Sequence, residues 1–181
     1  MNKGNIIILN GVSSSGKTTL AKTLQERLLE PYFHMDVDVF CNMAPAKFNI
    51  VDSSIQWEFV INMFEVVKLY SNMGFNLIVP CIFWYDELLE KCVNSLHSYP
   101  VLLVHVKCNM EELRRREIER GNRPAGMAEG LLKILRPKDT YDITVDTYND
   151  SLEKCAAKII EMMSYPDKFS ALKTLWSQYT R

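Results

Sequence analysis

The chain has 181 residues, enough for one domain whose core needs neither disulfides nor a metal. A formal net charge of −1 with ordinary apolar and charged shares excludes the basic surface of a nucleic-acid binder. The five cysteines lie far apart without a C-x-x-C pair, no apolar run reaches membrane-spanning length, and the N-terminus lacks a signal-peptide pattern. The expectation is a soluble cytoplasmic protein with reduced thiols and neither a nucleic-acid nor a membrane partner.

Taken in chain order, Asn5 to Leu9 reads as a buried parallel strand before Gly11. Lys17 to Leu29 reads as a helix with Leu20, Leu24 and Leu28 on one face, and Tyr32 to Val37 as a second strand. Ser53 and Gln56 have capping-box spacing and open a helix carrying Trp57, Val60, Ile61, Phe64 and Val67, which ends near Gly74. Phe75 to Val79 is a third strand, Asp86 to Ser95 a helix, and Val101 to Val106 a fourth strand. Met110 to Arg120 forms a charged helix broken by Gly121 and Pro124; Met127 to Leu135 is helical, and Ile143 to Val145 is a short fifth strand. Ser151 to Met163 is amphipathic, and residues 167–179 form a terminal helix packed on the body. Alternating strands and helices predict one α/β domain over residues 1–181, a parallel sheet with helices on both faces. Ligands of such sheets bind beyond the carboxyl ends of the strands.

Gly11-Val12-Ser13-Ser14-Ser15-Gly16-Lys17-Thr18 fits G-x-x-x-x-G-K-T between a strand and a helix, with Thr19 following. The glycines let backbone N–H groups wrap a phosphate, and the helix adds the positive end of its dipole. Lys17 would reach the β- and γ-phosphates, and the Thr18 hydroxyl would bind Mg²⁺. The bound molecule is then a nucleoside triphosphate. No guanine-reading N-K-x-D follows a later strand, which points to ATP, and the third strand ends in Pro80-Cys81 without the acid of a larger ATPase.

A small-molecule kinase needs a base near the acceptor hydroxyl and a cationic lid. Asp36 and Asp38, two apart at a strand end, would face one side, Asp36 serving the metal and Asp38 accepting the hydroxyl proton. The alternative is that both cap the next turn. His34, on the same side as Asp36, reads as a packing or hydrogen-bonding residue, and His97 and His105 as structural. The lid would lie near 114–126, where Arg120 and Arg123 beside Gly121 suit phosphate. A solvated helix with pairs such as Glu112–Arg116 is the competing reading, favoured for Arg114 and Arg115.

The stretches "IILNGVSSSGKTTLAKTLQ", "EPYFHMDVDVF", "RREIERGNRPAGMA" and "YDITVDT" occur in an order that resembles the chloramphenicol phosphotransferase family of P-loop kinases. The resemblance implies strand order 2-3-1-4-5, ATP as donor, Asp38 as base, Arg120 and Arg123 in the lid, and the segment from Asp146 near the adenine. The Asp-x-Asp pair also looks like that of shikimate kinases. Pro80-Cys81 replaces acids often found there in the family, Asp36 replaces a frequent Gly, and Arg136-Pro137 stands where the pattern offers His. We read the first two as compensating, a magnesium-side carboxylate moved to the neighbouring strand end.

Between Asp38 and Lys68 the only basic residue is Lys47, whereas kinases of phosphorylated acceptors need arginines there. The stretch carries Phe40, Met43, Phe48, Trp57, Phe59, Met63 and Phe64 instead, and Phe83-Trp84-Tyr85 follows the third strand. Trp57, Met63 and Phe64 read as helix core. The sequence thus predicts an ATP- and Mg²⁺-dependent O-phosphotransferase acting on a small non-phosphorylated alcohol, chloramphenicol-like or related. A nucleoside or sugar-nucleotide kinase of the zeta-toxin type and a nucleotide-binding regulator without acceptor are the alternatives. Oligomeric state is not encoded in any of these features.

Overall fold

The computed structural model of the chain describes residues 2–43, 54–121 and 126–179. Five strands run β1 (Ile6–Asn10), β2 (Tyr32–His34), β3 (Asn76–Cys81), β4 (Val101–Lys107) and β5 (Ile143–Asp146). All pair in parallel in the order β2-β3-β1-β4-β5, the order the family resemblance implies. The helices are α1 (Lys17–Arg27), α2 (Val37–Asn42), α3 (Ser54–Ile61), α4 (Met63–Asn72), α5 (Asp86–Leu96), α6 (Met110–Arg120), α7 (Met127–Ile134), α8 (Leu152–Met163) and α9 (Ala171–Tyr179).

The central strand shows why the fold has two helical layers. Ile6 and Ile8 pack on one face with Phe64, Leu88, Val93 and Leu172, while Ile7 and Leu9 pack on the other with Leu20, Leu24 and Ile159. Strand alternation sends successive side chains to opposite faces, so an unbroken apolar run needs cover on both. Each of these four residues is fully buried, which stabilises by about 1.5–3 kcal/mol apiece. A third cluster, including Val12, Leu113, Ala128 and Leu135, lies beneath α6 and α7 beside the phosphate-binding loop.

Three elements differ from expectation by more than two residues or by a break. The second strand stops at His34 rather than Val37, because the Asp36 side chain accepts from the Asp38 N–H (3.0 Å) and starts α2. Asp36 and Asp38 therefore do not share a face by strand alternation; Asp36 is an N-cap and Asp38 lies in the first helical turn. The long helix ending at Gly74 is broken at Asn62 into α3 and α4, and the expected cap at Ser53 lies outside the described residues. The terminal helix over 167–179 is a 3₁₀ turn (Pro166–Lys168) followed by α9.

Asp142 holds α9 to the sheet. One carboxylate oxygen accepts from the Leu103 N–H on β4 (2.8 Å); the other accepts from the Ser170 and Ala171 N–H groups at the start of α9 (2.7 and 2.9 Å). Asp142→Ala should lower the stability by about 1–3 kcal/mol, seen as a lower urea midpoint at unchanged m-value. An unchanged midpoint would show that α9 is held by its apolar face alone.

Candidate active site

The loop between β1 and α1 is forced into shape by its surroundings. A Cβ on Gly11 would lie 2.4 Å from the Val106 carbonyl oxygen, so only glycine fits there. Gly16 precedes α1 at φ +90°, and Ser14 adopts φ +61°. Two outward-facing carbonyls are tied down from behind. The Thr147 hydroxyl donates to Ser15 O (2.8 Å), and Arg116 Nη1 donates to Ser14 O (3.3 Å). Arg116 also donates to the Thr147 hydroxyl (3.2 Å) and carbonyl (3.1 Å), while its Nε is held by Glu112 at 2.7 Å.

Among the described residues, the buried Ser14 and Ser15 hydroxyls have no hydrogen-bond partner. Buried polar atoms are normally paired, and of these two only Ser14 lines the cavity, where an oxygen-rich ligand would pair it. Lys17 Nζ donates to the Val12 carbonyl at 2.7 Å, so its ammonium is held at the loop. These features fit a polyphosphate. They also fit Mg²⁺ held through Thr18 and one carboxylate: no cluster of three or more His, Cys, Asp or Glu forms a metal cage among the described residues, and Mg²⁺ bound with phosphates needs none.

A cavity of about 740 Å³ opens from this loop. Ser13, Ser14, Gly16, Lys17, Thr18, Thr19, Arg116 and Arg120 line it on the phosphate side. Asp36, Val37, Asp38 and Cys41 come from α2 and its N-cap, and Cys81, Ile82 and Trp84 from the end of β3 and just after it. Met127 and Leu131 of α7 complete the lining. The lining cations among the described residues are Lys17, Arg116 and Arg120, all from the loop helix or α6. Arg136 is turned elsewhere, its Nε donating to Asp86 at 3.0 Å.

The structure thus brings together Lys17, Thr18, Asp36, Asp38 and Arg120. Gly11 and Ser15 shape the loop from behind. Asp146 stands apart: its carboxylate accepts from the Tyr148 and Asn149 N–H groups (2.9 and 3.3 Å) and from the Asn149 side chain (2.9 Å), closing a turn. Arg123, Lys47 and Phe48 lie outside the described residues. Met63 and Phe64 are fully buried core, as is Phe83, and among the described residues Trp84 is the aromatic that lines the cavity. His97 stacks on Trp176 and His105 on Tyr141 (centroids 4.3 and 4.6 Å apart), both structural.

Sequence reasoning did not single out the tertiary roles of Arg116, Thr147, Glu117 and Asn10. Arg116 does pair with Glu112, and that local pair hid its reach to the loop. Glu117 is buried and accepts from the Gly126 and Ala128 N–H groups (3.2 and 2.6 Å), joining α6 to the N-terminus of α7. Its position four residues after Leu113, on the buried stripe of α6, was the available signal.

Two ionisable groups at the cavity are displaced from their ordinary behaviour. Burial pushes the Cys81 thiol up to about 12, so it stays protonated beside Lys17. For Asp36, burial alone would raise the carboxyl pKa. His34 (Nε2 to Oδ2, 3.6 Å), the Asp38 N–H and Lys17 outweigh it and hold the group below its usual range. A depressed folded pKa gives stability that is present above the unfolded value, about 3.9, and lost as pH falls through the folded value. Asn keeps the N-cap. Wild type should therefore be more stable than Asp36→Asn at pH 7, with the difference shrinking towards pH 2 in urea titrations. A difference independent of pH would mean that the Asp36 charge contributes nothing.

Comparison with known proteins follows the same lines. The family model described as chloramphenicol phosphotransferase-like protein matches residues 4–164. A curated protein of Mycobacterium tuberculosis named as a candidate O-phosphotransferase is 26% identical over 201 residues, covering 96% of this chain and 89% of that protein. The solved M. tuberculosis APS kinase CysC, in complex with AMPPNP and APS, superposes with a TM-score of 0.72 at 17% identity, covering 91% of this chain and 99% of its own. A sugar kinase from Janibacter gives 0.71 at 18% identity, covering 91% and 98%. At these identities the two solved structures show a shared fold.

Proposed function

This chain belongs to the chloramphenicol phosphotransferase-like family of P-loop kinases, and we propose that it transfers the γ-phosphoryl group of ATP to a hydroxyl of a small, non-phosphorylated alcohol, chloramphenicol or a related compound. The observation that carries this reading is one cavity lined by both the phosphate-binding loop and Asp38, whose lining cations among the described residues, Lys17, Arg116 and Arg120, come from α1 and α6. An acceptor bearing phosphate would need a cation beyond those at the phosphates. Among the described residues, α2, the end of β3 and α7 instead contribute Val37, Cys41, Ile82, Trp84, Met127 and Leu131, suited to an apolar or aromatic body.

In this reading the loop N–H groups and Lys17 bind the β- and γ-phosphates, and the Ser14 hydroxyl finds its partner there. Thr18 and Asp36 would hold Mg²⁺, which when bound would offset charge on the phosphate oxygens. Arg116 and Thr147 hold the donor-side loop. Asp38 orients the acceptor hydroxyl and takes its proton as the oxygen bonds to the γ-phosphorus and the bond to the β–γ bridging oxygen breaks, releasing ADP. Arg120, with Arg123, offsets charge on the transferring group, and residues 114–126 serve as the lid that excludes water.

The direct test is a panel of alcohols, antibiotics, sugars and nucleosides incubated with Mg²⁺-ATP and read by mass shift. A phosphorylated neutral alcohol is expected. Exclusive phosphorylation of anionic nucleotides would overturn the acceptor assignment. ATP should raise the melting temperature; stabilisation by GTP with no response to ATP would overturn the donor assignment. Lys17→Ala should abolish transfer with the fold intact.

The two aspartates should fail differently. Asp38→Asn should bind ATP and Mg²⁺ normally while losing about 10²- to 10⁴-fold in transfer. Asp36→Asn should raise the Mg²⁺ requirement and recover in part at high Mg²⁺. Full activity of Asp38→Asn, or identical Mg²⁺ profiles for the two variants, would end the division of labour.

A further inference from the structure

Asn10, the last residue of β1, follows Ile-Ile-Ile-Leu and is fully buried. An aliphatic side chain would continue that run. An amide there is costly unless its hydrogen bonds are made, and this one joins three stretches of chain. Its Nδ2 donates to the Arg136 carbonyl (2.6 Å) and the Tyr141 hydroxyl (2.7 Å), and its Oδ1 accepts from the Phe83 N–H (3.1 Å). The outer stretches also bind each other, the Arg136 N–H donating to the Phe83 carbonyl at 2.8 Å. The Tyr141 hydroxyl donates to the Pro137 carbonyl at 2.8 Å.

The place of this network gives it a role in the reaction. Phe83 sits between Ile82 and Trp84, which line the cavity from the end of β3. Arg136 follows α7, whose Met127 and Leu131 also line the cavity. Asn10 itself is bonded to Gly11, the first residue of the phosphate-binding loop. The same backbone ties leave the Arg136 guanidinium donating to Asp86 and the Ile134 carbonyl (3.0 and 3.2 Å), away from the cavity lining.

Resting on the acceptor assignment above, we propose that Asn10 is a positioning residue for the acceptor. It fixes the β3-end wall and the α7 wall at one spacing from each other and from the phosphate-binding loop. The acceptor hydroxyl then meets Asp38 and the γ-phosphate in register. Asn10 touches neither substrate; it acts through Phe83 and Arg136.

The test compares full-length wild type, Asn10→Leu and Tyr141→Phe with Mg²⁺-ATP and chloramphenicol as the acceptor probe. Leu matches the volume but leaves the Phe83 N–H and Arg136 carbonyl without the amide, whereas Tyr141→Phe removes one hydroxyl and keeps the ring stacked on His105. For Asn10→Leu the chloramphenicol KM should rise about tenfold or more, the scale of a lost buried hydrogen bond, while the ATP KM changes less than twofold. Tyr141→Phe should shift the chloramphenicol KM in the same direction by about threefold. Hydrogen exchange, which needs no acceptor, should quicken at the Phe83 and Arg136 amides in both variants and stay unchanged across β1 and α1. Equal rises in both KM values, or exchange quickened throughout the protein, would show a purely structural role and overturn the proposal. Unchanged exchange at both amides would overturn it as well. If wild type forms no product from chloramphenicol, that failure belongs to the acceptor assignment; local exchange together with preserved ATP affinity then decides the role of Asn10. Should Asn10→Leu fail to fold, Tyr141→Phe alone carries the same outcomes.

Discussion

A phosphate-binding loop works only if its N–H groups point inward, and inward N–H groups require outward carbonyls. In this protein two of those carbonyls, on Ser14 and Ser15, are held from behind by the Arg116 guanidinium and the Thr147 hydroxyl. Gly11 closes the other side against the Val106 carbonyl. The loop is thus fixed by β4, β5 and α6 and not by its own sequence alone. The parallel sheet makes this possible, because it gathers the ends of β1, β4 and β5 at one edge.

The acceptor end is built by a different device. Polar residues buried outside the reacting centre, Asn10 and Glu117, add directional bonds between elements that apolar packing alone would let slide. Glu117 joins α6 to α7 through two N–H groups at a helix N-terminus. Asn10 joins β1 to the stretch after β3 and to the stretch before β5. Apolar packing fixes the layers of the sandwich, but it tolerates sliding. Directional bonds at the cavity wall set distances that a transfer reaction can use.

Much of this was legible in the sequence. The Ile-rich strand, the glycine-rich loop and the strand–helix alternation gave the sheet, and the family resemblance gave its order. The local patterns were sufficient there because strand burial and loop chemistry are written in adjacent residues. The second strand was misjudged at its end because Met35 and Val37 continue an apolar alternation, while the Asp36 cap that stops it is a side-chain event. Arg116 was legible as half of an i,i+4 pair, but its other bonds span 31 and 102 residues. Thr147 and Asn10 carried no local signal at all, since their partners lie 31 to 132 residues away. What a single sequence hides is which polar side chains meet across the fold.

That separation has a consequence for how the protein comes into being. The phosphate-binding loop is complete by Thr18, yet the hydroxyl that fixes its Ser15 carbonyl belongs to Thr147. At ordinary rates of translation the intervening chain takes on the order of ten seconds to emerge. Through that interval the nascent loop has its glycines but not its Thr147 clamp. The shaped loop therefore waits for Thr147 to emerge, and a chain truncated before β5 would carry the whole loop motif without the support that shapes it.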